Sequence, residues 1–391
     1  MSLNIIRPDL RSLPMSKTLA VSALANRLKS EGKEVLNLAV GEPDFDTPEF
    51  IGHAAIEAIR GGKTKYTLVG GTSELKKAIC HKFKRDNDLI FTPDQVMAST
   101  GCKQVLYNVL MATLEPGDEV IVPAPYWPSY PAMIKLFQGK PIIVDCPREQ
   151  SFLLKPHQLD AAITEKTKWL MLNYPSNPTG AVYSKADLLN IIAVLKNHPH
   201  VWVLSDEIYG HLTYAPSIFY SIGALDAEVG ERIVTANGLS KSHSMTGWRL
   251  GFCGGHPELI RVLTNLQSQS TTNPCSITQA AAVAALNGDN DIVFQFRDAF
   301  YNRIKMFVEL LSDTKLKIEM PQGAFYVFID VSAYDKDDVV FAEALLKSEY
   351  VAVVPGAAFG DPGHVRLSCA ASEDELEEAA KRIKKFLATL D

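Results

Sequence analysis

Residues 232–255 read RIVTANGLSKSHSMTGWRLGFCGG. Two mostly apolar runs of strand length, RIVTANG (232–238) and RLGFCGG (249–255), flank a polar connection that carries Lys241. Working outward, similar runs occur at EVIVP (119–123), PIIVD (141–145), KWLMLN (168–173) and VWVLSD (201–206), separated mostly by helical stretches such as SKADLLNIIAVLKNH (184–198). Strands that are apolar nearly throughout must bury both faces, and the helices between them supply the cover. The pattern predicts an α/β fold built on a mostly parallel sheet. In such sheets ligands bind at the loops beyond the strand ends.

The flanks differ. Residues 1–45 begin irregularly, pass through an expected helix around SALANRLKSEG (22–32), and reach VLNLAVGEPDFDTP (35–48), an apolar strand stopped by glycine, prolines and aspartates. This segment is too thin for its own core and should pack on the rest of the chain or on a partner subunit. The alternating pattern fills 46–285. From 286 to 391 a long helical stretch (DIVFQFRDAFYNRIKMFVELLSD) leads to IEMPQGAFYVFIDVS, a helix VVFAEALLKSE, the short strands VAVVPG and HVRLSCA, and a terminal amphipathic helix from about Ser372. That mixture predicts a smaller α+β domain.

Composition sets the boundaries of function. The 391 residues hold 39 Lys and Arg against 45 Asp and Glu, a formal charge of -6 that argues against a nucleic-acid surface. Six cysteines without a C-x-x-C spacing fit a reducing compartment. The opening MSLNIIRPDLRSLPMSK lacks an apolar signal core, and no window holds 18 consecutive apolar residues, so neither export nor membrane spanning is expected and a cytoplasmic location is. The histidines and cysteines show no paired ligand spacing, and no metal is expected. GGKT at 61–64 ends like a phosphate loop, but Glu57 stands where the earlier glycine belongs.

Several charged residues sit where a merely solubilising role fits poorly. Lys241 follows a strand-like run, where a turn at the sheet edge holds its amine partly out of water. Such an amine loses its proton more readily and can form an imine with a carbonyl cofactor. Arg249 opens an apolar strand, and its planar fork of donors suits a phosphate; tying two loops together is its other reading. Ser99, Thr100 and Gly101 precede a helix whose first N–H groups could receive the same phosphate. Asp206, ending a strongly apolar strand in SDEIYGHL, suits a protonated ring nitrogen, or a cap on the next turn. Tyr209 lies three residues on. Trp127, in PAPYWPSY (123–130), can stack on a flat ring or wedge a turn, and Asn177, in NYPSNPTG (173–180), can donate to a ring oxygen. Arg366 stands alone in HVRLSCA and needs a partner, which a substrate carboxylate would supply.

With these residues in view, the sequence resembles fold-type I pyridoxal-phosphate enzymes, the class I/II aminotransferases, and in particular the bacterial aspartate aminotransferase subgroup. The resemblance covers nearly the whole chain, through VGEPDFDTP (40–48), KYTLVGGTSELK (65–76), PYWPSYP (125–131), NYPSNPTGAVY (173–183), SDEIYGHL (205–212), NGLSKSHSMTGWRLG (237–251), SQSTTNP (268–274), PQGAFYVF (321–328) and VPGAAFGDPGHVRLSCA (354–370). It implies a seven-stranded sheet in a large domain (46–285), a small C-terminal domain (286–391), and an N-terminal segment (1–45) packed on the small domain and the partner subunit. It further implies pyridoxal 5'-phosphate, a homodimer, small dicarboxylic amino acids and 2-oxo acids as substrates, and no nucleic-acid or membrane partner.

Carried over by resemblance, Lys241 is the Schiff-base lysine and Asp206 the partner of the pyridine nitrogen. Tyr209 and Asn177 bond the ring hydroxyl oxygen, and Trp127 stacks on the ring. Arg249, Ser240 and the Gly101–Cys102 backbone hold the phosphate, with Tyr66 reaching it from the other subunit. Arg366 takes the substrate α-carboxylate, helped by Gly41 and Asn177, and Lys103 the side-chain carboxylate. Gly238 departs from the pattern, since many relatives carry a phosphate-binding hydroxyl there. The implied reaction is ping-pong transfer from L-aspartate to 2-oxoglutarate. Dual aspartate/prephenate activity, an aromatic or alanine donor, and a non-catalytic regulatory domain are the alternatives; the last expects a helix-turn-helix module, and no basic recognition-helix pattern precedes the core.

Overall fold

The computed structural model describes residues 17–390, together with Ile5 and Leu10. The remainder of the opening stretch read above lies outside the described residues. In chain order the strands are β1 (Leu36–Asn37), β2 (Val96–Ser99), β3 (Glu119–Ala124), β4 (Lys140–Asp145), β5 (Thr167–Asn173), β6 (Trp202–Asp206), β7 (Ile233–Gly238), β8 (Gly251–Gly254), β9 (Lys317–Ile318), β10 (Tyr326–Asp330), β11 (Val351–Ala352), β12 (Val354–Pro355) and β13 (His364–Ser368).

Seven of them form one sheet in the order β2-β8-β7-β6-β5-β3-β4. Strands β3 to β7 pair in parallel, and β8 runs antiparallel to both β7 and β2. The sheet is therefore mostly parallel, as its apolar runs predict. Each strand buries both faces because side chains alternate across it. In β5, Leu170 and Leu172 pack beneath Leu188, Ile191, Ile192 and Leu195 of the helix Lys185–Asn197. Trp169 and Met171 face the other way, against Val105, Leu106, Val109 and Leu110 of the helix Cys102–Thr113. Burying each such side chain stabilises the fold by about 1.5–3 kcal/mol before chain entropy is subtracted.

Strand β2 is the element that the pattern of apolar runs does not reveal. VMAS is four residues long, wholly buried, and lies between a capped turn and a glycine, so it offers no alternation to read. A further layer, the helices Glu49–Arg60, Ser73–Asn87 and Ser276–Asn287, packs against this end of the sheet through Leu75, Ile79, Phe83, Ala281 and Phe252.

A four-stranded antiparallel sheet, β12-β13-β10-β9, lies C-terminal to it. The helices Asp291–Leu310, Asp338–Glu349 and Glu373–Leu387 cover it through Phe300, Ile304, Phe341, Leu376 and Ile383. Ser372 caps the last helix by accepting from the Glu375 N–H, as its polar-then-apolar sequence suggests. The apolar stretch VLNLAV forms only a two-residue strand: β1 pairs in parallel with β11, and the chain then leaves this ladder. The Leu38 and Ala39 carbonyls accept instead from Ser368 N and Arg366 Nη2. Val35 and Ala39 join Phe328, Leu346 and Val354 in one apolar cluster, so this thin segment takes its core from the C-terminal sheet.

Candidate active site

The topology gathers the charged residues singled out above. Asp206 ends β6, Lys241 lies three residues past β7, and the helix Cys102–Thr113 starts three residues past β2. Because β8 alone is reversed, its beginning, with Arg249 just before it, reaches the same edge. There a cavity of about 360 Å³ is lined by Lys241, Asp206, Tyr209, Trp127, Asn177, Ser240, Arg249, Arg366, Gly41, Cys102 and Lys103. Tyr130, Asn173, Thr246 and Tyr326 complete much of its wall. The volume suits a small ligand.

Lys241 donates from Nζ to the Gly41 carbonyl at 2.6 Å. Burial lowers its pKa to about 8, with Arg366 and Arg249 pressing the same way and Glu42 opposing. This amine gives up its proton far more readily than an ordinary lysine, though it stays mostly charged at pH 7. Asp206 is 4 % exposed. Burial raises its pKa to about 6, while donors hold the increase back: Tyr130 Oη lies 2.8 Å from Oδ2 and the Ile208 N–H 3.4 Å from Oδ1. Cys102 Sγ stands 3.8 Å from Oδ1, a weak thiol donor. A ring N–H would be a stronger donor to that carboxylate.

One end of the cavity suits an anion. Gly101 precedes the helix with φ +95° and no side-chain cap, leaving the first N–H groups without a side-chain partner from that position. A Cβ at Gly101 would lie 2.5 Å from Arg249 Nη2, so glycine allows the guanidinium to close over the helix start. Gly251 is equally constrained, since any Cβ would collide with the backbone of Cys102. Arg249 itself has φ +52°, a left-handed conformation uncommon for a side-chain-bearing residue, and is held by its Nη1 bond to the Thr246 carbonyl at 2.8 Å. Gly238, where a hydroxyl was expected of relatives, packs against β8: a Cβ there would meet the Leu250 carbonyl at 3.1 Å.

At the other end Arg366 is buried on β13. Its Nη1 donates to Asn177 Oδ1 at 2.9 Å and its Nη2 to the Ala39 carbonyl at 2.6 Å, whereas buried Nε has no hydrogen-bond partner among the described residues. The guanidinium lies 4.5 Å from the Tyr326 ring centroid. A buried cation with a free donor is incomplete without an anion. Tyr326 Oη lies 2.8 Å from Tyr209 Oη, and a Cβ at Gly41 would come within 2.5 Å of the same hydroxyl. Lys103 Nζ sits 4.6 Å over the Trp127 ring, and burial lowers its pKa.

Tyr66 stands apart from this gathering. It is 90 % exposed and lines a surface hollow with Glu57, Lys65 and Ser276 rather than this cavity. Sequence reading missed Tyr130 and Tyr326. Both lie in stretches it singled out, PYWPSYP and PQGAFYVF, yet nothing local distinguishes a buried hydrogen-bonding tyrosine from a packing one.

The chain matches the family model for aminotransferase class I and II over residues 33–383. It is 48% identical over 386 residues to an aspartate/prephenate aminotransferase of Cereibacter sphaeroides, covering 96% of each chain. It is 45% identical over 383 residues to an aspartate aminotransferase of Rhizobium meliloti, covering 95% of this chain and 93% of that one. Among solved structures, the aspartate aminotransferase from Rhizobium meliloti superposes with a TM-score of 0.96 at 43% identity, over 99% of both chains. That from Thermus thermophilus with maleate gives 0.94 at 41% identity, over 97% of this chain and 99% of that one.

Proposed function

The chain belongs to the class I and II aminotransferases, and from that premise we propose that it moves the amino group of L-aspartate to 2-oxoglutarate, releasing oxaloacetate and L-glutamate. Enzymes of this class use pyridoxal 5'-phosphate, and the cavity fits it: a cradle at Gly101 that a Cβ would fill, a guanidinium over that cradle, a buried acid and a half-buried amine. Arg249, Ser240 and the Gly101–Cys102 backbone would hold its phosphate, Trp127 would stack on its ring, and Tyr209 and Asn177 would bond its hydroxyl oxygen. When bound, the cofactor supplies a carbonyl carbon for the amine and a ring that withdraws the electrons left at the substrate α-carbon.

The protein residues do the rest. Asp206 would hold a proton at the ring nitrogen, and its two-sided hydrogen bonding keeps the carboxylate oriented for that purpose. Lys241 would anchor the cofactor and, once the substrate amine has replaced it, would take the substrate α-proton on Nζ and deliver it within the same half-reaction to the cofactor carbon that bears the amino nitrogen. Its lowered pKa suits both tasks. Arg366 would bind the α-carboxylate, with Gly41 and Asn177 beside it, and so fix which bond at the α-carbon is presented to Lys241 Nζ.

A single observation carries the choice of a dicarboxylic substrate: one cavity holds a second cation, Lys103, over Trp127, in addition to Arg366. A carboxylate at each end of the substrate pairs with one of them. The name of the Cereibacter relative favours prephenate as an additional acceptor. The same reading assigns residues 46–285 and 286–391 to a large and a small domain, with the N-terminal segment, of which 17–45 are described, packed on the latter and on a partner subunit. It places the enzyme in the cytoplasm, in keeping with six free cysteines. It makes a homodimer the working form, since exposed Tyr66, Leu68, Ile56 and Ile59 want a cover and Tyr66 is then available to a neighbour's phosphate.

Spectra of the loaded enzyme test this. L-Aspartate and L-glutamate should convert the cofactor band rapidly, L-alanine and L-phenylalanine slowly, and prephenate should reverse the change. In Lys103→Met the aspartate rate should fall roughly 10–100-fold with alanine unaffected, the loss of one charged hydrogen bond. Conversion by alanine or phenylalanine in preference to aspartate would remove the dicarboxylate reading.

A further inference from the structure

Residues 36–48 bond first to the C-terminal sheet and then to the loop that carries Lys241. Toward the C-terminal sheet, the Leu38 carbonyl accepts from Ser368 N at 2.8 Å and the Ala39 carbonyl from Arg366. Toward the Lys241 loop, the Gly41 carbonyl accepts from Lys241, Glu42 accepts from Thr246 Oγ1, and the Phe45 carbonyl accepts from Ser244 Oγ. Thr47 Oγ1 then donates to the Ser244 carbonyl at 2.7 Å. One stretch of backbone therefore touches the proposed carboxylate site and the amine that does the chemistry.

Between these contacts stands an ion pair to the helix Asp291–Leu310. Arg303 Nη1 donates to both carboxylate oxygens of Asp44, at 2.8 and 3.0 Å, with the arginine side chain 12 % and the aspartate 27 % exposed. Phe45 reinforces it: its ring lies 4.8 Å from the Arg303 guanidinium and stacks on Phe296 with centroids 4.4 Å apart. A charge pair shielded by aromatic faces is screened less by water than a surface pair. Phe300 and Ile304 of the same helix lie in the apolar cluster that contains β13 residues Val365 and Leu367, the neighbours of Arg366. That helix is therefore packed into one core with the strand that carries Arg366.

We propose that Asp44 and Arg303 are positioning residues for the transfer reaction, pinning segment 41–47 to the C-terminal helix so that carboxylate binding at Arg366 is felt at Lys241 Nζ. Neither residue lines the cavity, so neither touches substrate or cofactor. The inference rests on Lys241 and Arg366 holding the roles given above. Its physical content is mechanical: two packed bodies joined by a short bonded segment transmit a shift at one end to the other.

The test uses the holoenzyme with Asp44→Asn, Arg303→Met, which keeps the aliphatic packing, and Arg303→Lys, which keeps the charge. Steady-state kinetics with aspartate are measured together with the pH midpoint of the cofactor's absorption change, with and without succinate as an unreactive dicarboxylate. In the wild type succinate should displace that midpoint. In Asp44→Asn and Arg303→Met the displacement should shrink by more than about half, kcat should fall roughly tenfold with KM within about threefold, and Arg303→Lys should recover part of both. A full displacement in the variants, no displacement in the wild type, or a kcat loss accompanied only by a lower Tm would overturn the proposal. Failure of aspartate to convert the wild type at all would instead strike the dicarboxylate reading, and the strap would be judged by the same comparison with the donor that does convert it.

Discussion

The phenol of Tyr130 donates to Asp206 Oδ2 at 2.8 Å, both groups being buried. Burial lifts the Asp206 carboxyl to about 6, and this bond is the first of the contacts opposing the increase. A ring nitrogen keeps its proton only beside the ionised acid. Cofactor affinity of the cofactor-free protein should therefore fall as the pH drops through about 6. In Tyr130→Phe the carboxyl loses a donor that favours its charged form, its pKa rises, and the loss of affinity should begin at higher pH. At pH 7 binding should be roughly tenfold weaker, the value of one such bond. Titration of the cofactor-free protein across pH checks this, and an unmoved midpoint would mean that the phenol does not tune the acid.

Lys241 exchanges stability for chemistry. Its folded-state pKa is depressed to about 8 from the ordinary 10.5, chiefly by burial. Below about pH 8 the amine is charged in both folded and unfolded chains and the folded state bears the full desolvation penalty. The penalty fades as pH rises from about 8 to 10.5, where the amine is neutral in both. Lys241→Met should abolish transfer yet stabilise the cofactor-free protein at pH 7 by on the order of 2 kcal/mol. The gain should shrink toward pH 10. Denaturant unfolding at pH 7 and pH 10 decides it; a destabilised variant at pH 7 would show that the Gly41 bond outweighs the burial penalty.

Gly101 is needed for two independent reasons. Its φ of +95° is rarely open to a residue with a side chain, and its missing Cβ is the space that Arg249 Nη2 fills. Gly101→Ala should push the guanidinium from the helix start and weaken cofactor binding by at least roughly tenfold, as expected for a charge-assisted phosphate contact. Equilibrium dialysis measures this directly. Retained affinity would indicate that Arg249 reaches the phosphate from another rotamer.

Much of the chemistry is legible locally, for a physical reason. Lys241, Arg249, Asp206 and Arg366 stand beside or within apolar runs, and a charge there is unfavourable unless something pairs with it. The helical and strand periods mark the α/β pattern in the same way, because each element must bury one face or two. Tyr130, Tyr326, Asp44 and Arg303 carry no such mark. A tyrosine in a core and a charge pair near a surface are common, and their roles appear only when the chain folds back: Tyr130 meets Asp206 across 76 residues, and Asp44 meets Arg303 across 259.

By itself, then, the sequence determined the composition of the site, the kind of fold and the family, since these depend on which residues occur and at what period. Tertiary structure alone decided the strand order, the short buried β2, and the reversal of β8 that brings Arg249 to the edge where Asp206 and Lys241 lie. It alone set the Lys241 amine against the Gly41 carbonyl and left Arg366 Nε without a partner among the described residues. Those are facts of packing between distant segments, and short-range preferences have no means of encoding which segments will meet.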